Sequence, residues 1–431
     1  MASSKKSSTA KGKSTSKASQ KRTVKKAVRV AKRHPKVVIA VAVILVILIV
    51  VGAVLYLKND KVHNAIANLF SEKKKGDSFA VGTYGDDDLS FHFLELGNNY
   101  TGDCTYIKAG NIDILIDAGS RQNSVDTIAS YVNQYCTDGK LEYVIATHAH
   151  QDHIAGFTNA TNKDGIFKRY ECGTIIEFAR TNQKLQNDNG NPTLYSKYIT
   201  ARDEEVAAGA KCYTALECWN NQNGAQREYS LGEGMKMSIL YQKFYEEESK
   251  EKDGGENDYS VCVLFTHGDK HFLFTGDLEE LGEASLVEKN DLPQVELFKA
   301  GHHGSYTAST DTLLSVIKPN IVCVCCCAGA VEYTNTLANT FPSQAFIERV
   351  GPYTSRIYVT TVGQIEEKGL NDKGKMTYKD VGYFSMNGNI TVLSSKGNIT
   401  VNCSNNNTLL KDTQWFKDNR TSPTKGWDSA G

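Results

Sequence analysis

The sequence predicts an α/β domain of two packed sheets, preceded by one membrane-spanning helix. Three observations predict it. Residues 37–57 form a run of 21 uncharged, mostly β-branched or leucine residues. From residue 89 onward, short apolar runs alternate with segments of helical spacing. Several of those runs end in a histidine or an aspartate, as strands do when they deliver polar groups to the edge of a sheet.

The regions follow in order. Residues 1–36 hold 13 Lys/Arg, no Asp/Glu and almost nothing large and apolar, so they cannot bury enough surface to offset ordering entropy. They predict a disordered basic tail. The run at 37–57 matches the ~20 residues that cross a hydrocarbon core of ~30 Å. It exceeds the roughly 7–15 apolar residues of a cleaved leader and lacks a small-residue cleavage site. The positive charge before it predicts a cytoplasmic N-terminus and a domain outside the cell, anchored in the bilayer through 37–57. Residues 58–88 read as a juxtamembrane spacer. The chain after residue 57 carries 36 basic against 49 acidic residues, a net of −13.

Within the domain, Phe91–Leu96, Cys104–Lys108, Ile112–Ile116, Tyr143–Thr147 and Gly173–Phe178 read as strands. Ser124–Cys136 has helical spacing. Residues 180–232 are polar, with a helix-like piece at Leu194–Ala208, and read as an insertion over the core. Strands return at Met235–Tyr241, Tyr259–Phe265, His271–Thr275, Leu297–Ala300 and Ile321–Cys327, with helices after Asp277 and between the last two. The main domain is thus expected over 89–375. Residues 376–431 are expected as a β-rich extension and tail, in which Gly-Asn-Ile-Thr-Val recurs at 388–392 and 397–401, suiting two neighbouring hairpin strands. Eleven cysteines cannot all pair within one chain. The run Ile-Val-Cys-Val-Cys-Cys-Cys places Cys323, Cys325, Cys326 and Cys327 on a strand whose residues alternate faces, so they cannot share one metal. They read as small buried residues.

Four groups carry chemistry. His148, His150, Asp152 and His153 lie within six residues, just after an apolar strand, and their nitrogens and carboxylate suit a borderline ion such as Zn²⁺. Asp277 follows Phe-Leu-Phe-Thr-Gly and can lean into the same pocket, although such an aspartate alone is usually a helix cap. Gly301-His302-His303-Gly304-Ser305 follows another strand. Adjacent side chains rarely point the same way, so one histidine is expected as a ligand and the other as structural or substrate-facing. Asp117, at the end of Ile-Leu-Ile, is expected to orient the metal-binding loop from behind. Ser305 and Lys299 are weaker candidates for holding a phosphate oxygen.

The order Phe-Leu-Glu-Leu-Gly (93–97), Ile-Leu-Ile-Asp-Ala-Gly (114–119), Thr-His-Ala-His-Gln-Asp-His (147–153), Thr-Gly-Asp-Leu-Glu (275–279) and Gly-His-His-Gly-Ser (301–305) resembles the metallo-β-lactamase superfamily. More narrowly, it resembles the metallo-hydrolase domain of ComEC-type competence proteins, over roughly 90–365. The resemblance implies an αββα sandwich with one or two divalent ions at one edge, zinc before manganese or iron. One ion would take His148, His150 and a histidine of the 302–303 pair, the other Asp152 and His153, with Asp277 bridging and Asp152 as the catalytic group. Two departures stand out. No histidine matches the family's usual one between the first motif and the bridging aspartate, where this chain has Glu256-Asn257-Asp258-Tyr259-Ser260. The turn after the first strand is expanded over Asn98–Asp103.

The implied activity is metal-dependent hydrolysis of a phosphodiester, in DNA or in a cell-envelope polymer of the teichoic-acid type. A non-catalytic binding protein on the same fold is the alternative class. The net charge of −13 outside the membrane works against long DNA, whose non-specific binding needs Lys/Arg contacts to phosphate. No protein partner is implied.

Overall fold

The computed structural model describes residues 84–250 and 255–427. The basic tail, the apolar run 37–57 and most of the spacer lie outside the described residues. Among those described, no helix is long and apolar enough to cross a membrane.

Sixteen strands build two sheets of eight. They are β1 (Leu89–Phe93), β2 (Thr105–Ala109), β3 (Ile112–Ile116), β4 (Lys140–Ala146), β5 (Glu171–Glu177), β6 (Lys211–Thr214), β7 (Glu228–Gly232) and β8 (Met235–Leu240), then β9 (Cys262–His267), β10 (Lys270–Phe274), β11 (Leu297–Lys299), β12 (Ile321–Ala328), β13 (Ile357–Leu370), β14 (Met376–Ser385), β15 (Ile390–Ser395) and β16 (Asn398–Cys403). The first sheet runs β16-β15-β1-β2-β3-β4-β5-β6 and the second β14-β13-β12-β11-β10-β9-β8-β7.

Period-two alternation explains how the layers stack. On β1, Phe91 and Phe93 point at the second sheet, with ring centroids 4.6 Å from Phe272 and 5.9 Å from Phe274 respectively. His92, between them, points the other way and bonds Tyr131 of the helix Val125–Val132 at 2.8 Å. Both faces of β1 are therefore covered, which is why the whole strand is buried, Ser90 and His92 included. On β12 the same rule separates the cysteines. Cys323 and Cys325 join the core between the sheets. Val322, Val324 and Cys326 join an outer core with Leu286, Leu313, Phe346 and Ile347, which lie on the helices Glu280–Lys289, Asp311–Ile317 and Gln344–Val350. The result is an α/β fold of two packed sheets with helices outside, the αββα arrangement that the resemblance implies.

Two parts differ from expectation. The segment 180–232 is no mere insertion over the core. After the helix Leu194–Ala208, whose first turn is capped by Thr193, it supplies β6 to one sheet edge and β7 to the other. The stretch expected as a C-terminal extension is woven into both sheets: β14 pairs with β13, while β15 lies against β1. The repeated pentapeptide forms the β15–β16 hairpin, with Val392 opposite Val401. Apolar residues of β15 such as Ile390 and Val392 are fully buried, so these strands complete the core.

The topology also fixes where chemistry is possible. β3 and β4 are parallel, as are β10, β11 and β12. Their carboxyl ends meet at one rim of the sandwich, where open α/β sheets place ligand sites.

Candidate metal centre

Each strand end delivers one part of the site. β3 leads into Asp117, β4 into Thr147-His148, β10 into Thr275-Gly276-Asp277 and β11 into Gly301-His302-His303. The loop 148–153 is locked by backbone contacts. The Asp103 N–H donates to the Asp152 carbonyl at 3.0 Å and the Ala118 N–H to that of His153 at 2.7 Å. A Cβ on Gly119 would lie 1.5 Å from the Asp152 carbonyl oxygen, so only glycine permits this approach.

Asp152, His153, Asp277 and His303 converge, with one ligand atom of each lying within 4.8 Å of the others. His153 Nε2 is 3.0 Å from Asp277 Oδ2 and 3.3 Å from His303 Nε2. His303 Nε2 is 3.1 Å from Asp277 Oδ2 and 3.4 Å from Asp152 Oδ2. Both imidazoles are held from behind. His153 Nδ1 bonds Asp117 Oδ2 at 2.7 Å, and His303 Nδ1 bonds the Cys325 carbonyl at 2.8 Å. Asp117 itself receives the Thr147 N–H at 2.8 Å and hydroxyl at 2.7 Å. This support aims both Nε2 atoms at one point, as metal-ligating histidines require.

The donor set fits a divalent cation. Two nitrogens on a tetrahedral ion at about 2.05 Å stand roughly 3.3 Å apart, which is the spacing seen. Asp277 Oδ1 is buried without a hydrogen-bond partner. Four carboxylates, of Asp103, Asp117, Asp152 and Asp277, crowd the two imidazoles, and Lys299 is the fixed cation among them. Burial opposes ionisation of Asp277, yet the charges of His153 and His303 outweigh it and hold this carboxyl well below its usual range. The same negative field attracts a metal ion.

His148 and His150 stand beside this cluster. His148 Nε2 is 3.1 Å from His150 Nδ1, and His148 Nδ1 lies 3.2 Å from the Thr147 hydroxyl and 3.4 Å from that of Ser260. Burial, reinforced by the charges of His153 and His150, keeps His148 well below the usual histidine range and therefore neutral, as a ligand must be.

The structure corrects the expected grouping of the ligands and the role of Lys299, and it separates the two adjacent histidines. His303 belongs with Asp152 and His153, not with His148 and His150, because β11 and its turn direct it under Asp277. His302 does not join the cluster. Two consecutive left-handed residues, His302 (φ 44°) and His303 (φ 53°), turn the adjacent rings apart, and His302 Nδ1 instead meets Glu279 at 3.1 Å and Thr307 at 3.0 Å. Lys299 does not face substrate. It is 2% exposed, paired with Asp103 and 3.8 Å from Asp277.

The cluster opens into a cleft of about 510 Å³, lined among others by His150, Asp152, Asn257, His302, Ser305 and Tyr333. Tyr333 donates to Asp152 Oδ2 at 2.8 Å. Arg121, the one Lys/Arg of this lining, is paired with Glu332. Asp103, Asn257 and Tyr333 escaped sequence reasoning. Asp103 lies in the Gly-Asp step before β2, a position that read as an expanded turn. Asn257 opens the short turn Asn257–Tyr259, in the segment that stood out only for lacking a histidine, and Tyr333 lies in a loop with no local signal.

The model of the metallo-beta-lactamase superfamily matches residues 97–166 and 249–328, and the chain carries a domain of that superfamily. It is similar to Recombination protein 2 of Haemophilus influenzae, 28% identical over 119 residues, which cover 27% of this chain and 14% of that protein. It is also similar to Competence protein ComA of Neisseria gonorrhoeae, 30% identical over 129 residues, which cover 29% of this chain and 17% of that protein. The chain thus matches under a fifth of the length of either relative. Among solved structures, a metallo-beta-lactamase fold protein from Bacillus subtilis aligns at 12% identity and a TM-score of 0.29, covering 50% of this chain and 72% of that one.

Proposed function

We propose that this protein is a membrane-anchored, metal-dependent phosphodiesterase acting outside the cell. The observation that carries the reading is the buried convergence of Asp152, His153, Asp277 and His303 at the floor of an open cleft. A divalent cation held there supplies Lewis acidity and lowers the pKa of a bound water from about 15.7 to about 7. Asp152 is at the cleft face of the cluster, where its carboxylate orients the attacking water and takes its proton. Before a cation enters, burial opposes ionisation of Asp152, while the His303 hydrogen bond and the charges of His153 and His303 hold it well below the usual range. Tyr333 fixes its orientation through the 2.8 Å hydrogen bond. Ser305 and Thr307 line the wall of the cleft, where their hydroxyls, bonded to each other at 2.9 Å, are the candidates for bonding a phosphate oxygen.

DNA is the first substrate to consider, since the similar proteins are named for recombination and competence. An envelope phosphodiester polymer is the second, favoured by the scarcity of free basic side chains in the cleft. Anchoring rests on the uncharged run 37–57 behind 13 basic residues. Free cysteines are compatible with export, because nine of the eleven are buried and burial raises their thiols above the range where they react.

The test is hydrolysis of bis-p-nitrophenyl phosphate by the full chain, followed by single-stranded DNA against glycerol-phosphate polymer. Activity with every divalent metal absent from all three would leave the binding-protein alternative. Protection of the domain from external protease in intact cells would overturn the topology.

A further inference from the structure

We infer that the amide oxygen of Asn257 is the third protein donor of a cation position formed with His148 and His150, standing where the usual third histidine is missing. The inference rests on the metal centre described above and not on the identity of the substrate.

No histidine is available for the role. Between His153 and Asp277 the chain has only His267 and His271. These sit at the turn of the β9–β10 hairpin, away from the rim, and His267 is bonded to Ser394 at 2.9 Å. The segment bearing Asn257, in contrast, runs along the histidine loop and is tied to it on both sides. The Ala149 N–H donates to Glu256 at 3.1 Å, and the Val261 N–H donates to the Thr147 carbonyl at 2.9 Å. Ser260 reaches His148. Asn257 lies between these contacts and lines the same cleft as His150 and Asp152.

Its side chain is 7% exposed. Nδ2 faces Glu279 Oε1 at 3.3 Å, and because a carboxylate only accepts, this contact fixes which amide atom is nitrogen. The oxygen is then the atom left over, buried and without a hydrogen-bond partner. Such an atom destabilises the fold if nothing satisfies it. A cation shared with His148 Nε2 and His150 Nδ1, already 3.1 Å apart, satisfies it.

Zn²⁺ titration of the metal-stripped full chain, with bound metal counted by mass spectrometry after dialysis, tests this. Wild type is expected to hold two ions per chain. Asn257→Ala is expected to hold one, as is His148→Ala, with the remaining affinity unchanged. Asn257→His is expected to hold two, the weaker one bound roughly tenfold tighter, since nitrogen donors suit this ion better than an amide oxygen. Asn257→Asp keeps the shape and an oxygen donor, so it retains two ions and guards against misfolding of the alanine variant. Two ions in Asn257→Ala at unchanged affinity, or one ion in wild type, would overturn the inference. Metal counting is independent of hydrolysis, so a failed phosphodiesterase assay leaves this result readable.

Discussion

The two ends of the ligand set are built differently. At the inner end, His153 and His303 are buried and each is held from behind, by Asp117 and by the Cys325 carbonyl. At the outer end, His148 and His150 have each other and the more distant hydroxyls of Thr147 and Ser260. The inner end takes donors that follow strands of both sheets, while both histidines of the outer end come from the loop after β4. The lesson is that rigidity follows the number of elements that converge. An ion at the inner position finds four converging donors, and one at the outer position finds two histidines 3.1 Å apart.

The largest effect expected from breaking this comparison comes at the inner end. Chelation of metal, or His153→Ala or Asp277→Asn, should abolish hydrolysis and remove the tighter ion, as metal analysis would show. His148→Ala should remove only the weaker ion and leave measurable turnover. Equal loss of metal from the two histidine variants would mean that the ends are not distinct.

Next comes the support beneath the inner end. Lys299 is buried against Asp103, and although burial disfavours its charge, Asp103 and Asp277 hold it well above the usual lysine range. Lys299→Met takes the lysine from Asp103 and leaves it His303 Nδ1 at 3.2 Å, so the loss is expected at the low end of the about 3–5 kcal/mol typical of a broken buried pair. Urea unfolding should show this loss, and Asp103→Asn in the same chain should restore most of it. A lysine serving substrate instead would change KM and leave stability alone.

A smaller effect is expected for Asp117→Ala, which removes the partner of His153 Nδ1 and Thr147. Loss of such a supporting group typically lowers metal affinity or activity about 10–100-fold. Measured zinc affinity should fall at the inner position, with the outer one little altered.

These residues also show what was legible in the sequence. Asp117, the 148–153 motif and Asp277 announce themselves because each follows an apolar strand, and the chain itself then carries the polar group to the rim. The choice between His302 and His303 was not legible. It depends on two left-handed backbone conformations in succession, which neither residue type encodes. Lys299 looked like a solvated side chain because its partner, Asp103, is far away in sequence. The strands β15 and β16 were visible as alternating segments, but nothing local says that β15 pairs with β1. Pairing partners are set by the whole core, which a local pattern does not contain.

The smallest expected effect lies at the cleft mouth and sharpens the comparison from the other side. The Tyr333 ring is 53% exposed, so Tyr333→Phe creates no cavity and should leave Tm unchanged. What it removes is one donor to Asp152. A hydrogen bond to a charged acceptor is worth roughly 1.5–3 kcal/mol when buried, and the exposed position argues for the low end or below. About 1 kcal/mol corresponds to roughly fivefold in kcat/KM, since 1.4 kcal/mol is tenfold. The loss should appear in kcat, because Asp152 acts on the water and does not grip the substrate. A rise in activity would show that Tyr333 restrains Asp152. A loss of a hundredfold or more would place Tyr333 among the groups that make the reaction possible, and the inner end would no longer be the dominant element of the site.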